Sequence, residues 1–345
     1  HIRFETHFFA CDFDRKEHPS INNEVAKAWW LDENEALTAW GAGLMPAAPP
    51  VLAALSAALD PQEPFVRKGH ARDLLCAGGP IRYLPLVTPT LPPATHTNCC
   101  FIGDGKGFYA VDPAPVDPAE RELLWQTISL LSTQGERLVG VILTHLHSDH
   151  TGAANWLAQR ASVPIYASRQ TQEDLANGLG GGFSAGGTLN ESRVRVTNIL
   201  HEGDCLPGGR QVLLTPGHAK GHLCLWHQAT ASLVAGDMIA SGSTILIEPE
   251  QGHLIDYLDS LERLANLDLR LMVPAHGLPI ANPKASLDAL RQHRLAREAK
   301  AQSALIALGT GTLSELVAIA YDDTPSYLWP LAELSLRSHM DKLKS

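Results

Sequence analysis

The chain has 345 residues, 45% hydrophobic and 19% charged, with a formal net charge of −10. That length supports two or three folded units and a sizeable core, and the acidic balance gives no overall electrostatic footprint for nucleic acid or an anionic membrane. No run of about eighteen apolar residues occurs, so no membrane-spanning helix is expected. The six cysteines show no C-x-x-C spacing and include the adjacent pair Cys99-Cys100, so reduced thiols and a cytoplasmic location are expected.

In chain order, a first part runs from His1 to about Pro80. It carries a β-like run at Phe4–Ala10, a short helix at Asp32–Trp40, and Pro49-Pro50 opening another helix, with Pro favoured at a helix start. The sequence opens on His-Ile-Arg-Phe-Glu-Thr, which is not a secretory leader. A second part, about 81–283, begins with strands expected at Arg82–Val87, Asn98–Ile102 and Phe108–Asp112, the last ended by Pro113 and Pro115. Pro118–Leu131 has helical spacing, with Asp117 as N-cap. Val139–Leu143 is a continuous apolar run, as expected for a strand covered on both faces.

Straight after that strand comes Thr-His-Leu-His-Ser-Asp-His-Thr-Gly, which sets His145, His147, Asp149 and His150 within six positions. Imidazole nitrogens and carboxylate oxygens suit a zinc-like ion, and such groups are not buried side by side without something positive between them. A helix is expected over Gly152–Gln159, its N-terminal dipole toward the cluster. The glycine-rich stretch from Gly178 to Gly187, with Phe183, predicts a mobile connector or a rim over substrate. Three more candidates each follow a short β-like run: His218 after Gln211–Thr215, Asp237 after Ser232–Ala235, and His276 after Arg270–Val273. That is the pattern of a site built on loops at one edge of a sheet.

The ordered set His145-x-His147-x-Asp149-His150, then His218, Asp237 and His276, resembles the metallo-β-lactamase superfamily in its glyoxalase II-like branch, over about residues 80–283. The resemblance implies an α/β fold, an αββα sandwich with metals at one edge. It implies that His145, His147 and His218 hold one ion, that Asp149, His150 and His276 hold a second, and that Asp237 bridges them. Seven ligands are too many for one tetrahedral ion but suit two divalent ions sharing a carboxylate, zinc ahead of iron or manganese. Such a pair would turn a shared water into a hydroxide nucleophile, with Asp149 as the catalytic residue that orients it or accepts its proton. Relatives that bind iron for electron transfer put Glu where this chain has His147. The zinc β-lactamases carry Cys in place of Asp237. Both departures point to a compact hydrolase.

Within the first part, Arg3-Phe-Glu-Thr-His-Phe-Phe-Ala and Glu24 to Trp40 followed by Pro49-Pro50 resemble the rear half of a Nudix hydrolase. The Glu-rich Nudix box is absent from the sequence, so this region, which starts without Met as though mid-domain, is expected to pack rather than catalyse. The third part, about 284–345, reads as helices at Ala285–Leu308, from Thr312 with a capping box to Glu315, and at about Ser326–Leu343. It resembles the small winged-helix-like C-terminal domain of mitochondrial β-lactamase-like endoribonucleases and their bacterial relatives. Arg291, Arg294, Arg297 and Lys300 recur every three residues, either as a solvated face paired with Glu298 and other acids or as a basic stripe for a phosphate backbone; the first is favoured.

His222 is expected to orient its loop or lie near substrate, and His201, His253 and His293 to sit at the surface or cap helices. The leading functional expectation is a dinuclear hydrolase of a small thioester, ester or lactone, with a homo-oligomer as an open possibility. A phosphodiesterase or endoribonuclease of single-stranded RNA, and a non-catalytic interaction protein stabilised by metal, stay open.

Overall fold

A computed structural model describes residues 74–345 of the chain apart from 79–80, 92–93, 181–193, 242–243, 310 and 345. The Nudix-like stretch and the elements expected before Pro80, from Phe4 to the helix at Pro49, lie outside the described residues, as does Phe183. Residues His1–Ala71 form one unit and Arg72–Ser345 a second, and the elements below all belong to the second.

Two sheets make its centre. The first has seven strands in chain order: β1 (Leu75–Gly78), β2 (Ile81–Val87), β3 (His96–Gly103), β4 (Gly107–Val111), β5 (Arg137–Ile142), β6 (Ile165–Ser168) and β7 (Asn198–Leu200). Pairing is antiparallel up to β4 and parallel from β4 to β7. The second sheet has the order β12-β11-β10-β9-β8, built from β8 (Cys205–Leu206), β9 (Arg210–Leu214), β10 (Leu223–His227), β11 (Ser232–Gly236) and β12 (Leu271–Pro274).

Side-chain alternation explains why the central strands are apolar throughout. In β3, Cys100 and Ile102 face the second sheet and join Val212, Leu225 and Val234 in the core between the sheets. Cys99 and Phe101 face the other way, against Leu124, Ile128 and Leu131 of α1 (Pro118–Thr133). The second sheet is covered on its outer face by α5 (Leu254–Ala265) and α6 (Pro283–Leu308), through Tyr257, Leu261, Leu287 and Leu290. The result is a helix–sheet–sheet–helix sandwich, the fold class expected from the sequence.

Local chemistry sets the helix boundaries. The Asp117 carboxylate accepts from the Ala119 and Glu120 amides at 2.8 and 3.2 Å, with Pro118 in the first turn. Asn282 caps α6 ahead of Pro283, so that helix begins two residues earlier than its periodicity suggested. The helix expected over Gly152–Gln159 is α3 (Ala154–Ala161), with an unexpected turn of helix, α2 (Ser148–Thr151), ahead of it and α4 (Arg169–Ala176) after β6. Between α2 and α3 the Ala153 amide donates to the Pro113 carbonyl at 2.8 Å, a tertiary bond that takes the place of a helical one. Asp149 and His150 thus lie inside a short turn of helix that precedes α3.

The C-terminal segment adds α7 (Leu313–Ala320) and α8 (Trp329–Lys344). The Thr312–Glu315 capping box is formed in both directions. The last predicted helix splits, with Ser326–Leu328 as a 3₁₀ turn before α8. Ala301 and Ala304 of α6 pack with Leu316, Val317 and Leu336 in a separate small core. Cys99, Cys100 and Cys224 are buried free thiols and Cys205 is an exposed one. Among the described residues no helix is long and apolar enough to cross a membrane.

Candidate metal centre

All seven residues singled out from the sequence come together at one edge of the sandwich. His145 and His147 follow β5, Asp149 and His150 ride on α2, and His218, Asp237 and His276 follow β9, β11 and β12. The Nε2 of His145, the Nδ1 of His147 and the Nε2 of His218 form a triangle with edges of 2.9, 2.9 and 3.2 Å. Asp237 stands beside them, 3.5 Å from His218 Nε2, and also 3.6 Å from His150 Nε2 and 3.4 Å from His276 Nε2. Asp149 closes the far side at 3.8 Å from His150 Nε2 and 3.5 Å from His276 Nε2.

The donor set fits metal ions and fits little else. His218 donates its Nδ1 proton to the Leu246 carbonyl at 2.8 Å, and His276 donates its own to the His96 carbonyl at 2.9 Å. The Nε2 lone pairs are thereby turned inward, toward other lone pairs. His150 Nε2 and Asp237 Oδ1 are buried without a hydrogen-bond partner. A buried polar atom left so costs roughly 1–3 kcal/mol, and a cation in the gap removes that cost. Tetrahedral ligation at about 2.0–2.1 Å would hold nitrogens about 3.3 Å apart, close to the triangle observed. Three donor groups lie close enough to serve an ion: His145-His147-His218, His145-His150-Asp237 and Asp149-His150-His276.

Electrostatics divides the histidines. Burial pushes His145 well down and His147 down, and takes His218 to about 3, so these rings are neutral, the form that ligates. For His150 and His276 burial acts in the same sense, but the neighbouring carboxylates, Asp237 foremost, outweigh it and hold both above the usual imidazole range. Burial of Asp237 is likewise outweighed, by His276 and His150, which hold its carboxyl well below the usual carboxylate range.

A family model described as the metallo-β-lactamase superfamily matches residues 92–276, which span all seven. The chain belongs to that superfamily. A second model, the β-lactamase-associated winged helix domain, matches residues 312–345. The chain is 32% identical to the lactamase-like protein nscB of Trichophyton rubrum over 228 residues, 64% of this chain and 62% of that protein, so it spans under two thirds of that relative. It is 26% identical to the probable metallo-hydrolase YqjP of Bacillus subtilis over 223 residues, 54% of this chain and 69% of that one. The crystal structure of a β-lactamase domain protein from Burkholderia ambifaria shares the fold, with a TM-score of 0.65 at 23% identity, over 81% of this chain and 91% of that one.

Several residues that position this superfamily site were not singled out from the sequence. Asp112, at the end of β4, is buried with φ of 53°, a left-handed conformation that Asp tolerates better than most residues. Its carboxylate accepts from the Thr144 amide at 2.8 Å, the Thr144 hydroxyl at 2.6 Å and the His150 Nδ1 proton at 2.9 Å. The signal available was Val-Asp-Pro at a strand end, which reads as an ordinary turn. Asp112→Asn should lower metal affinity or activity about 10- to 100-fold, measured by metal competition and steady-state kinetics, because one of its amide protons must meet a donor.

His222 stays outside the ligand triangle. Its Nε2 accepts the Asp237 amide proton at 3.0 Å and its Nδ1 lies 2.8 Å from the Thr215 hydroxyl, so it fixes the backbone that presents Asp237. Gly236, at φ of 51°, makes this approach possible: a Cβ there would lie 2.5 Å from His222 Nε2. Gly236→Ala should destabilise the fold by about 1–3 kcal/mol in denaturant unfolding and reduce metal retention. Gln251 receives the other side of His147, Nε2 to Oε1 at 2.7 Å, and Asn98 pins the His276 loop by donating to the Pro274 and Gly277 carbonyls. Of the histidines expected at the surface, His201 and His253 pair with nearby Asp204 and Asp256, while His293 faces the cleft described next.

The centre forms the floor of a cleft of about 410 Å³. Leu91, Ile245, Leu328 and Leu331 give it apolar walls, and Arg294, Arg297 and Tyr321 close the side made by the C-terminal helices. The basic stripe of α6 is largely matched by acids: Arg291 with Glu262, Arg297 with Asp323, and Lys300 with Asp322 and Asp323. Glu298 is not their partner, since it pairs with Lys342 of α8. Arg294 departs from the expectation of a solvated face, because it is buried.

Proposed function

We propose that the chain is a dinuclear metal-dependent hydrolase of a small thioester, ester or lactone. The observation that carries this reading is the convergence of seven ligand-type side chains, five of which (His147, Asp149, His218, Asp237 and His276) line one mainly apolar cleft. A cleft of about 410 Å³ is in the range for a small molecule and its walls favour an apolar body with few charges. In this reading His145, His147 and His218 hold one ion, Asp149, His150 and His276 the other, and Asp237 serves both. When bound, such a pair supplies Lewis acidity for the attacked oxygen and lowers the pKa of water to near neutrality.

The chain's own residues do the rest. Asp149, the least buried of the carboxylates in the set, receives the proton of the attacking water and orients it. Its place is fixed because the Thr97 hydroxyl donates to the Asp149 carbonyl at 2.7 Å. Gln251, Asp112 and His222 hold the rings and the loop, so that little reorganisation is needed during reaction. The apolar walls exclude bulk water and strengthen the electrostatics of the floor.

The test is a panel of a thioester, a lactone and a single-stranded RNA offered to the metal-loaded chain. Turnover of the thioester or lactone is expected. Turnover of RNA alone would replace this reading with a phosphodiesterase, and turnover of none by fully loaded protein would favour a non-catalytic role.

A further inference from the structure

Arg294 lies in α6 with 4% of its surface exposed, yet it lines the same cleft as the metal centre. A guanidinium stays charged at any physiological pH, and a buried charge calls for a counter-charge. Among the described residues Arg294 has no carboxylate partner. One terminal nitrogen donates to the Ile245 carbonyl, the plane stacks 5.5 Å from the Tyr257 ring centroid, and Nε has no hydrogen-bond partner. Glu248, which also lines the cleft, forms no ion pair with it. Arg297, which pairs with Asp323, and His293 also line the cleft. Burial, reinforced by Arg294 and Arg297, drives the nearby buried His339 down to about 3, as a positive local potential would.

Arg294 is also tied to the floor of the site. It grips the Ile245 carbonyl, and the next carbonyl, Leu246, accepts from His218. Tyr257, beneath its guanidinium, donates to the carbonyl of Met238, the residue after Asp237. The arginine is therefore held in register with the reacting end of the cleft, with Leu328 and Leu331 forming apolar wall beside it.

We infer that Arg294 is an anion anchor, and that the physiological substrate carries an oxyanion, carboxylate or phosphate, separated by an apolar stretch from the bond that is cleaved. This rests on the hydrolase reading above and narrows its substrate class. The planar fork of an arginine matches either oxyanion, and such a charge-assisted contact in a dry cleft is strong.

The test uses the metal-loaded full chain and three thioesters of equal length, ending in a carboxylate, a phosphate or a methyl ester. The wild type should favour one or both charged members over the methyl ester by about 30-fold in kcat/KM, and which one it favours assigns the source of the oxyanion. Arg294→Met should bring that ratio below about 3-fold, and Arg294→Lys should leave an intermediate ratio. A ratio is insensitive to a general loss of activity, which a shifted Ile245–Leu246 segment would cause. No preference in the wild type, or a preference kept by Arg294→Met, overturns the anchor. If fully loaded protein cleaves none of the three, the hydrolase reading fails by itself. Calorimetric titration of the chelator-treated chain with hexanoate and with inorganic phosphate then decides the anchor: binding lost in Arg294→Met supports it, and binding absent or equal in both proteins overturns it.

Discussion

Asp237→Asn should lower kcat/KM by about 10³-fold or more, a loss of about 4 kcal/mol of transition-state stabilisation. Among the described residues, Asp237 is the only carboxylate within 3.6 Å of ring nitrogens from both candidate ligand groups, with His218 on one side and His150 and His276 on the other. In the proposed two-ion centre its charge would serve both cations. Asparagine keeps the shape and removes the charge, so the two sites would compete instead of sharing. Metal content should fall from two ions per chain toward one, while the far-ultraviolet dichroism of the sandwich stays unchanged. Full activity with two ions retained would mean that the carboxylate does not bridge.

Chelation should abolish activity and also lower the melting temperature. An ion that binds the folded chain about a thousandfold above its dissociation constant contributes about 4 kcal/mol of stability, which corresponds to about 10 °C for a unit of this size. The direction has a structural cause. Without cations the donor triangle sets lone pairs against one another and leaves His150 Nε2 and Asp237 Oδ1 unpartnered. Metal loss should also depend on pH in a definite sense. The carboxylates around His150 and His276 outweigh burial and raise both, so in the metal-free chain these rings keep their protons to higher pH than a free imidazole. A metal must displace those protons, so affinity should rise as pH goes from about 6 to about 8, and chelation should be fastest at the acidic end. Competition with a chromophoric chelator across that range measures it; affinity falling with pH would contradict the assignment.

The seven residues that converge were legible in the sequence because metal chemistry restricts residue type, and their order of His and Asp stands as a pattern along the chain. The central strands were legible because both faces are covered, which makes Val139–Leu143 and its neighbours apolar without alternation. What supports the seven residues was legible only in part: His222 was expected to orient its loop or lie near substrate, and it holds the Asp237 amide, whereas Asp112 acts across 32 positions of chain, and nothing in its local sequence marks it. Arg294 shares its spacing with Arg291 and Arg297, and only the packing of α6 against Tyr257 and Ile245 separates a buried guanidinium without a carboxylate from two partly buried ones paired with acids. The turn of helix α2 was missed for the same reason: it is parted from α3 where the Ala153 amide meets the Pro113 carbonyl, which helical periodicity cannot see.

The central claim is a pair of cations seated by seven side chains, and elemental analysis of the purified chain after dialysis tests it most directly. The account predicts about two transition-metal ions per chain in the unaltered protein, and fewer than two after His218→Ala or His276→Ala. One ion per chain in the unaltered protein, or a content that neither substitution changes, would contradict it.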